Sequence, residues 1–131
     1  MSQKAILDAL ATRLAGSTLY TTLGGRLGLD ELAANTALPL MVYRVTGTQT
    51  AQLFGNTERY DLTLEFQFYQ KSSDGTQMHT LSSQLKTALD ASLAASGFDR
   101  IVLIRTGTGT PSYEDDSWTM TDTYRAVGFR L

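Results

Sequence analysis

Residues 58–70 read ERYDLTLEFQFYQ, and their alternation decides the fold. Tyr60, Leu62, Leu64, Phe66 and Phe68 fall on one side of an extended chain. Arg59, Asp61, Thr63, Glu65 and Gln67 fall on the other. A period of two, apolar against polar, predicts a strand with one buried and one wet side. Residues 118–131, WTMTDTYRAVGFRL, repeat the pattern. At about 3.3 Å per residue the two stretches would span about 43–46 Å. A compact chain of this size has a diameter of roughly 36 Å. Such strands either bend at bulges, with Gly128 one place for it, or their ends project and offer unpaired backbone groups to another chain.

Residues 3–15 predict an amphipathic helix. Ile6, Leu7, Leu10 and Leu14 share a face, Ser2 can cap its start and Gly16 can end it. Residues 17–37 hold no sustained period, with Gly24, Gly25 and Gly28 keeping them irregular, though 29–35 could make a turn of helix. Pro39 opens a strand at 40–45, a position where proline is tolerated. Residues 46–57, TGTQTAQLFGNT, read as a polar loop. After the strand at 58–70 comes a turn at 72–75, where Asp74 and Gln77 resemble a capping box. A second helix is expected to about residue 95, with Met78, Leu81, Leu85, Leu89 and Leu93 as its stripe and Gly97 at the left-handed position beyond its end. Residues 98–105 hold a third strand, 106–117 (TGTGTPSYEDDS) a second polar loop, and 118–131 the last strand. The expected fold is therefore α+β in two layers: a mostly antiparallel four-stranded sheet with two helices packed on one face, in the order α-β-β-α-β-β. If the second and third strands are parallel, the helix between them is a crossover.

At 131 residues the chain is expected to form one domain. A hydrophobic content of 42% is enough for a core, which argues against disorder. The net charge of −2 argues against non-specific nucleic-acid binding. There is no cysteine, hence no disulfide framework and no thiolate chemistry. The first residues lack the apolar run of a signal peptide, and no window approaches the roughly 18 apolar residues of a membrane span, so a soluble chain made in a cytoplasm is expected.

Residues able to do chemistry are scattered. His79 is the one histidine and reads as a surface or boundary residue; no G-x-S-x-G elbow accompanies it. Glu114, Asp115 and Asp116 are adjacent rather than spaced as in a calcium loop, so a solvated loop is the first reading, a basic partner the second and a metal a distant third. The glycine-rich segments 24–28 and 106–110 lack the following helix and lysine of a phosphate cradle and read as turns. Asp61 and Glu65 are placed to pair with Arg59 or with basic residues on neighbouring strands. Neither an enzyme nor a cofactor is indicated. Trp118, beside Tyr113 and the acidic run, reads as a core lid or as an interface anchor. Leu53 and Phe54 divide equally between local packing and contact with another chain.

Taken together, the N-terminal helix, the segment GGRLGLDELAANTALPLMVYRV (residues 24–45) leading through Leu38 and Pro39 into the first strand, the long strand ERYDLTLEFQFYQ, the single helix after it and the final DTYRAVGFRL resemble the tail completion, or tail terminator, proteins of long-tailed bacteriophages and related prophages. The likeness covers nearly the whole chain. Leu40 and Met41 replace a Pro-Tyr pair common in the first strand of relatives. The resemblance implies a structural protein of the virion, assembled in the host cytoplasm, that forms a ring, in all expectation a hexamer, at the head-proximal end of the tail tube. Its implied partners are copies of itself, the tube protein, a head or neck connector, and double-stranded DNA passing through without being held. Contacts between subunits or rings are expected at 46–57 and 106–117, with Leu53, Phe54, Tyr113, Glu114, Asp115, Asp116 and Trp118 as candidates. The alternatives are another neck component, such as an adaptor or stopper, a small ligand-binding α+β domain, or a hydrolase in which the acidic loop converges on His79.

Overall fold

The computed structural model describes residues 2–30, 38–52, 58–71, 76–95, 97–114 and 116–130. In chain order these form helices α1 (Ser2–Ala15) and α2 (Thr18–Thr22), strands β1 (Leu27–Leu29), β2 (Leu40–Gln52) and β3 (Glu58–Gln70), helix α3 (Thr76–Ala88), and strands β4 (Phe98–Thr108), β5 (Ser112–Glu114) and β6 (Ser117–Arg130). The class is α+β. The sheet has six strands rather than the expected four, ordered β1-β2-β3-β6-β4, with β5 pairing β6 beside the end of β4. It is mixed, because β1 runs parallel to β2 while the other pairings are antiparallel. Among the described residues, three helices stand where two were expected.

The two quoted stretches form the centre. Their register is unbroken from Glu58–Arg130 to Gln70–Trp118. Leu62, Leu64, Phe66 and Phe68 of β3 join Met120, Tyr124 and Ala126 of β6 in one core with Ile6, Leu10 and Leu14 of α1 and Met78, Leu81 and Leu85 of α3. Phe66 stacks on Tyr43 (centroids 5.7 Å apart) and meets Tyr124 edge-on (5.5 Å). The apolar rows thus sit against the helices, as period-two residues on one face must. Val42 and Val127 are buried as well, but lie outside this core, on the opposite sheet face.

Four local expectations change. Residues 46–52 and 106–108 are strand rather than loop: β2 continues to a Gln52–Glu58 pair, and β4 runs on to Thr108. Their threonines suit an extended chain, and they lacked the alternating signal because neither face of residues 46–51 and 106–108 is covered. Helix α3 stops at Ala88, not near residue 95. The Arg13 guanidinium donates to the carbonyl oxygens of Ala88, Ala91 and Ser92 at 2.8–3.1 Å and so satisfies carbonyls at its end. Leu89 and Leu93 still reach the core, Leu93 through a β-bridge to Ile101. Gly97 is left-handed (φ 88°), but in the turn before β4 rather than at a helix end. Finally, Ser17 starts α2 in a segment expected to be irregular, accepting a hydrogen bond from the Tyr20 amide. The expected capping pair involves Asp74, and the expected helical turn spans 29–35; Asp74 and residues 31–35 lie outside the described residues, while Leu29 belongs to β1.

Gly128 is not the bend. A side chain there would come within 2.8 Å of the Phe98 ring, which lies over it. Strand β6 keeps its register with β3 through Gly128, and the register shifts fall in the flanking strands: between Val45 and Gly47 in β2, and in β4 between Phe98 and Ile101, opposite Gly128–Arg130, and between Arg105 and Gly107. The Val45/Gly47 and Arg105/Gly107 shifts each carry a Thr-Gly pair whose threonine hydroxyl donates to a central-strand carbonyl, Thr46 to Thr63 (3.5 Å) and Thr106 to Thr123 (3.1 Å). Every residue of the second hairpin named here is numbered 60 above its partner in the first: 45 and 105, 47 and 107, 63 and 123, 64 and 124. Hairpin β2–β3 and hairpin β4–β6 are therefore related by a pseudo-two-fold axis through the Leu64–Tyr124 pair, each preceded by a long helix.

Candidate functional site

Three surfaces carry the polar chemistry. The first lies inside, between α3 and β6. Asp122 is fully buried, and the Ser82 hydroxyl donates to its Oδ2 at 2.5 Å. Burial pushes the Asp122 carboxyl above its ordinary value; the Ser82 hydrogen bond and the charges of Arg105 and His79 oppose that shift without cancelling it. Tyr124, also buried, is raised chiefly by burial, with Arg105 opposing. His79 is exposed, as expected for a surface residue. Glu114 is held in β5, where its register partner is Ser117. Among the described residues no group of three His, Cys, Asp or Glu could hold a metal ion.

The second is the sheet face away from the helices. Asp61 sits between two guanidiniums: Arg59 donates from Nε and Nη2 at 3.0 and 3.1 Å, and Arg125 from Nη2 at 2.6 Å. Burial alone would raise the Asp61 carboxyl, but these hydrogen bonds and charges outweigh it and hold the group below its ordinary value. Arg44 stands 4.0 Å from Glu65, its register partner. Both expected partnerships on this face therefore exist. Gln49, Thr50 and Ala51 of β2 complete a groove of about 470 Å³ around the Asp61 cluster. Two carboxylates face three arginines here, so the face carries mixed charge with most, but not all, of its positive charge offset.

The third comprises the hairpin tips. Tyr113, Glu114, Asp116 and Trp118 come together at the β5–β6 turn. Tyr113 is 55% exposed and meets Trp118 edge-on at 5.4 Å. Trp118 packs against the core while its indole N–H, though buried, has no hydrogen-bond partner. Asp116 takes the left-handed conformation (φ 63°) that turns the chain. Leu53, Phe54 and Asp115 lie outside the described residues. The segment holding Leu53 and Phe54 leaves the sheet at the Gln52–Glu58 row, which adjoins Arg130, whereas Trp118 pairs with Gln70. The two candidate segments therefore depart from opposite ends of the central strands, about 40 Å apart at about 3.3 Å per residue.

What the residue-by-residue reading missed were the sheet edges. A signal for them existed: Val42 and the run TGTxT at 46–50 recur as Val102 and TGTxT at 106–110.

No family model and no curated protein sequence matches the chain. Among solved structures, a chain from the virion of a native gene transfer agent particle shares the fold, with a TM-score of 0.75 and 14% identity over 97% of this chain and 96% of that one. A second solved structure, which carries no functional name, matches with a TM-score of 0.72 and 14% identity over 100% and 97% of the two chains. At that identity the likeness is one of fold.

Proposed function

We propose that this chain is a structural protein of a phage-like virion, and specifically a tail terminator: a ring, in our reading a hexamer, that caps the head-proximal end of the tail tube, stops its growth and provides the joint to the head. The observation that carries this reading is the end-to-end fold likeness to a chain of a gene transfer agent virion, with almost nothing left over in either chain. The sequence resemblance to tail terminators points the same way.

The surfaces suit such a role. On the exposed sheet face Asp61 and Glu65 offset two of the three arginines they pair with, and the whole chain is at −2. DNA passing a ring of such subunits would find little net positive charge to hold it. No helix among the described residues is long and apolar enough to cross a membrane. Assembly in the host cytoplasm and residence in the virion neck complete the reading; no cofactor and no reaction enter it.

The test is reconstitution. Purified tail tubes incubated with the protein should gain a density at one end, visible by electron microscopy, and should stop elongating when tube subunits are added. A protein that leaves tubes growing but binds isolated heads would be a neck adaptor or stopper instead. One that binds neither tubes nor heads is not a virion component of either kind.

A further inference from the structure

We propose that copies of this chain join head to tail through their sheet edges, the open run of β2 in one copy pairing antiparallel with the open run of β4 in the next. This rests on the ring reading above and assigns the surface that builds the ring.

Among the described residues, both edges are covered only where they begin. Strand β1 pairs with β2 at residues 41–43, and Leu93 bridges to β4 at Ile101. Residues 44–52 of β2 and 102–108 of β4 have no strand on their outer sides. Such edges are templates for another strand, and monomeric proteins blunt them with lysine, inward charges or proline. Neither run contains Lys, Asp, Glu or Pro. Each holds one arginine, Arg44 or Arg105. These point to opposite sheet faces, since Arg44 pairs with Glu65 and Arg105 with Tyr124, so they do not oppose each other across the contact.

The two runs also match in level and direction. Traced through β3 and β6, Val102 shares a row with Gln49, Ile104 with Gly47, and Gly107 with Arg44. β4 runs opposite to β2, so a second copy in the same orientation presents β2 antiparallel to the first copy's β4. Because the runs lie at one level, pairing needs little displacement along the strands, which favours a closed ring over a rising filament. Bulges often discourage edge pairing. Here both edges bulge within one row of the Leu64–Tyr124 pair, at the same Thr-Gly step, so they curve together. The pseudo-two-fold axis makes each edge the image of the other. The contact is then almost self-complementary, as in a two-fold dimer, yet leaves a free edge on either side and so continues until it closes.

The chain has no cysteine, so the pairing can be read by cross-linking. Gly47→Cys and Ile104→Cys are made as separate proteins. Gly47 is not in the left-handed region, and a side chain there meets Thr63 only at ordinary contact distance; Ile104 is 45% exposed. Under mild oxidation, alone and on tail tubes, a mixture of the two variants should give disulfide-linked dimers at least tenfold more abundantly than either variant alone. The double variant should give a ladder of covalent multimers. If Gly47→Cys proves unfolded by circular dichroism, Gln49→Cys with Val102→Cys tests the row two residues away. A single variant that cross-links as well as the mixture would mean that like edges pair, and would overturn the proposal. Rings seen by native mass spectrometry without cross-links at either row would overturn the edge pairing alone. Monomers under both conditions would overturn the ring reading and the pairing with it.

Discussion

At the scale of the residue, two aspartates on the two faces of one sheet titrate in opposite senses. Asp122 is buried against α3, and its carboxyl is raised because burial penalises the charged form more than Ser82, Arg105 and His79 favour it. The folded chain therefore holds that proton more tightly than the unfolded chain. Its contribution is complete below the unfolded value of about 3.9 and is lost as pH rises through the folded value. For Asp61, burial acts in the same direction but is outweighed by Arg59 and Arg125, so its carboxyl is lowered. Its contribution is present above about 3.9 and is lost as pH falls through the folded value. Urea midpoints measured from about pH 3 to pH 8 should separate the two. Asp122→Asn should flatten the decline of stability on the rising-pH side, and Asp61→Asn should flatten the acid limb. An Asp122→Asn variant with the parent's slope above pH 4 would remove this account of the buried carboxyl.

At the scale of the element, the long central strands were legible because the chemistry that makes them is local: alternate residues face the core, and the alternation is written in ERYDLTLEFQFYQ. The flanking strands were not. Residues 46–52 and 106–108 gain their structure from backbone pairing with β3 and β6, while the side chains of 46–51 and 106–108 are largely in solvent. A stretch with two wet faces leaves no hydrophobic period to read. Tyr113, Glu114, Asp116 and Trp118 could be grouped from their proximity in sequence, but not placed about 40 Å from the Gln52–Glu58 row, since that depends on strand register. The end of α3 was hidden for a similar reason. Its apolar stripe continues through Leu89 and Leu93, but the helix stops where Arg13, 75 residues earlier, captures its carbonyls. That long-range cap yields a prediction. Arg13→Ala should cost on the order of 1–2 kcal/mol, less than fully buried charged hydrogen bonds because these are largely exposed. Amide hydrogen exchange should accelerate most in the last turn of α3 and in residues 89–93. Unchanged protection there would mean the helix ends without help from α1.

At the scale of the molecule, the pseudo-two-fold axis relates the two hairpins, but the sequence makes the segments that join their strands unlike. One carries Leu53 and Phe54 between Gln52 and Glu58; the other carries Tyr113 and the acidic run beside Trp118. They leave the central strands at opposite ends. In a ring joined edge to edge, with its strands aligned roughly along the ring axis, one set of tips would rim each opening. A terminator needs this arrangement: one rim must accept a tube and the other must refuse a further tube subunit while accepting the head. A pseudo-symmetric pair of hairpins with dissimilar tips would provide both. The prediction is a division of labour. Leu53→Ser with Phe54→Ser should impair one joint, and Glu114→Gln with Asp116→Asn the other, with each loss at least tenfold and with ring formation intact in both. Tube capping and head joining, scored separately by electron microscopy, decide it. If both variant pairs lose the same joint, the tips share a rim and the strands do not run along the axis. If either pair disperses the ring itself, that tip contributes to the contact between copies, and the open edges of β2 and β4 are not sufficient to build it.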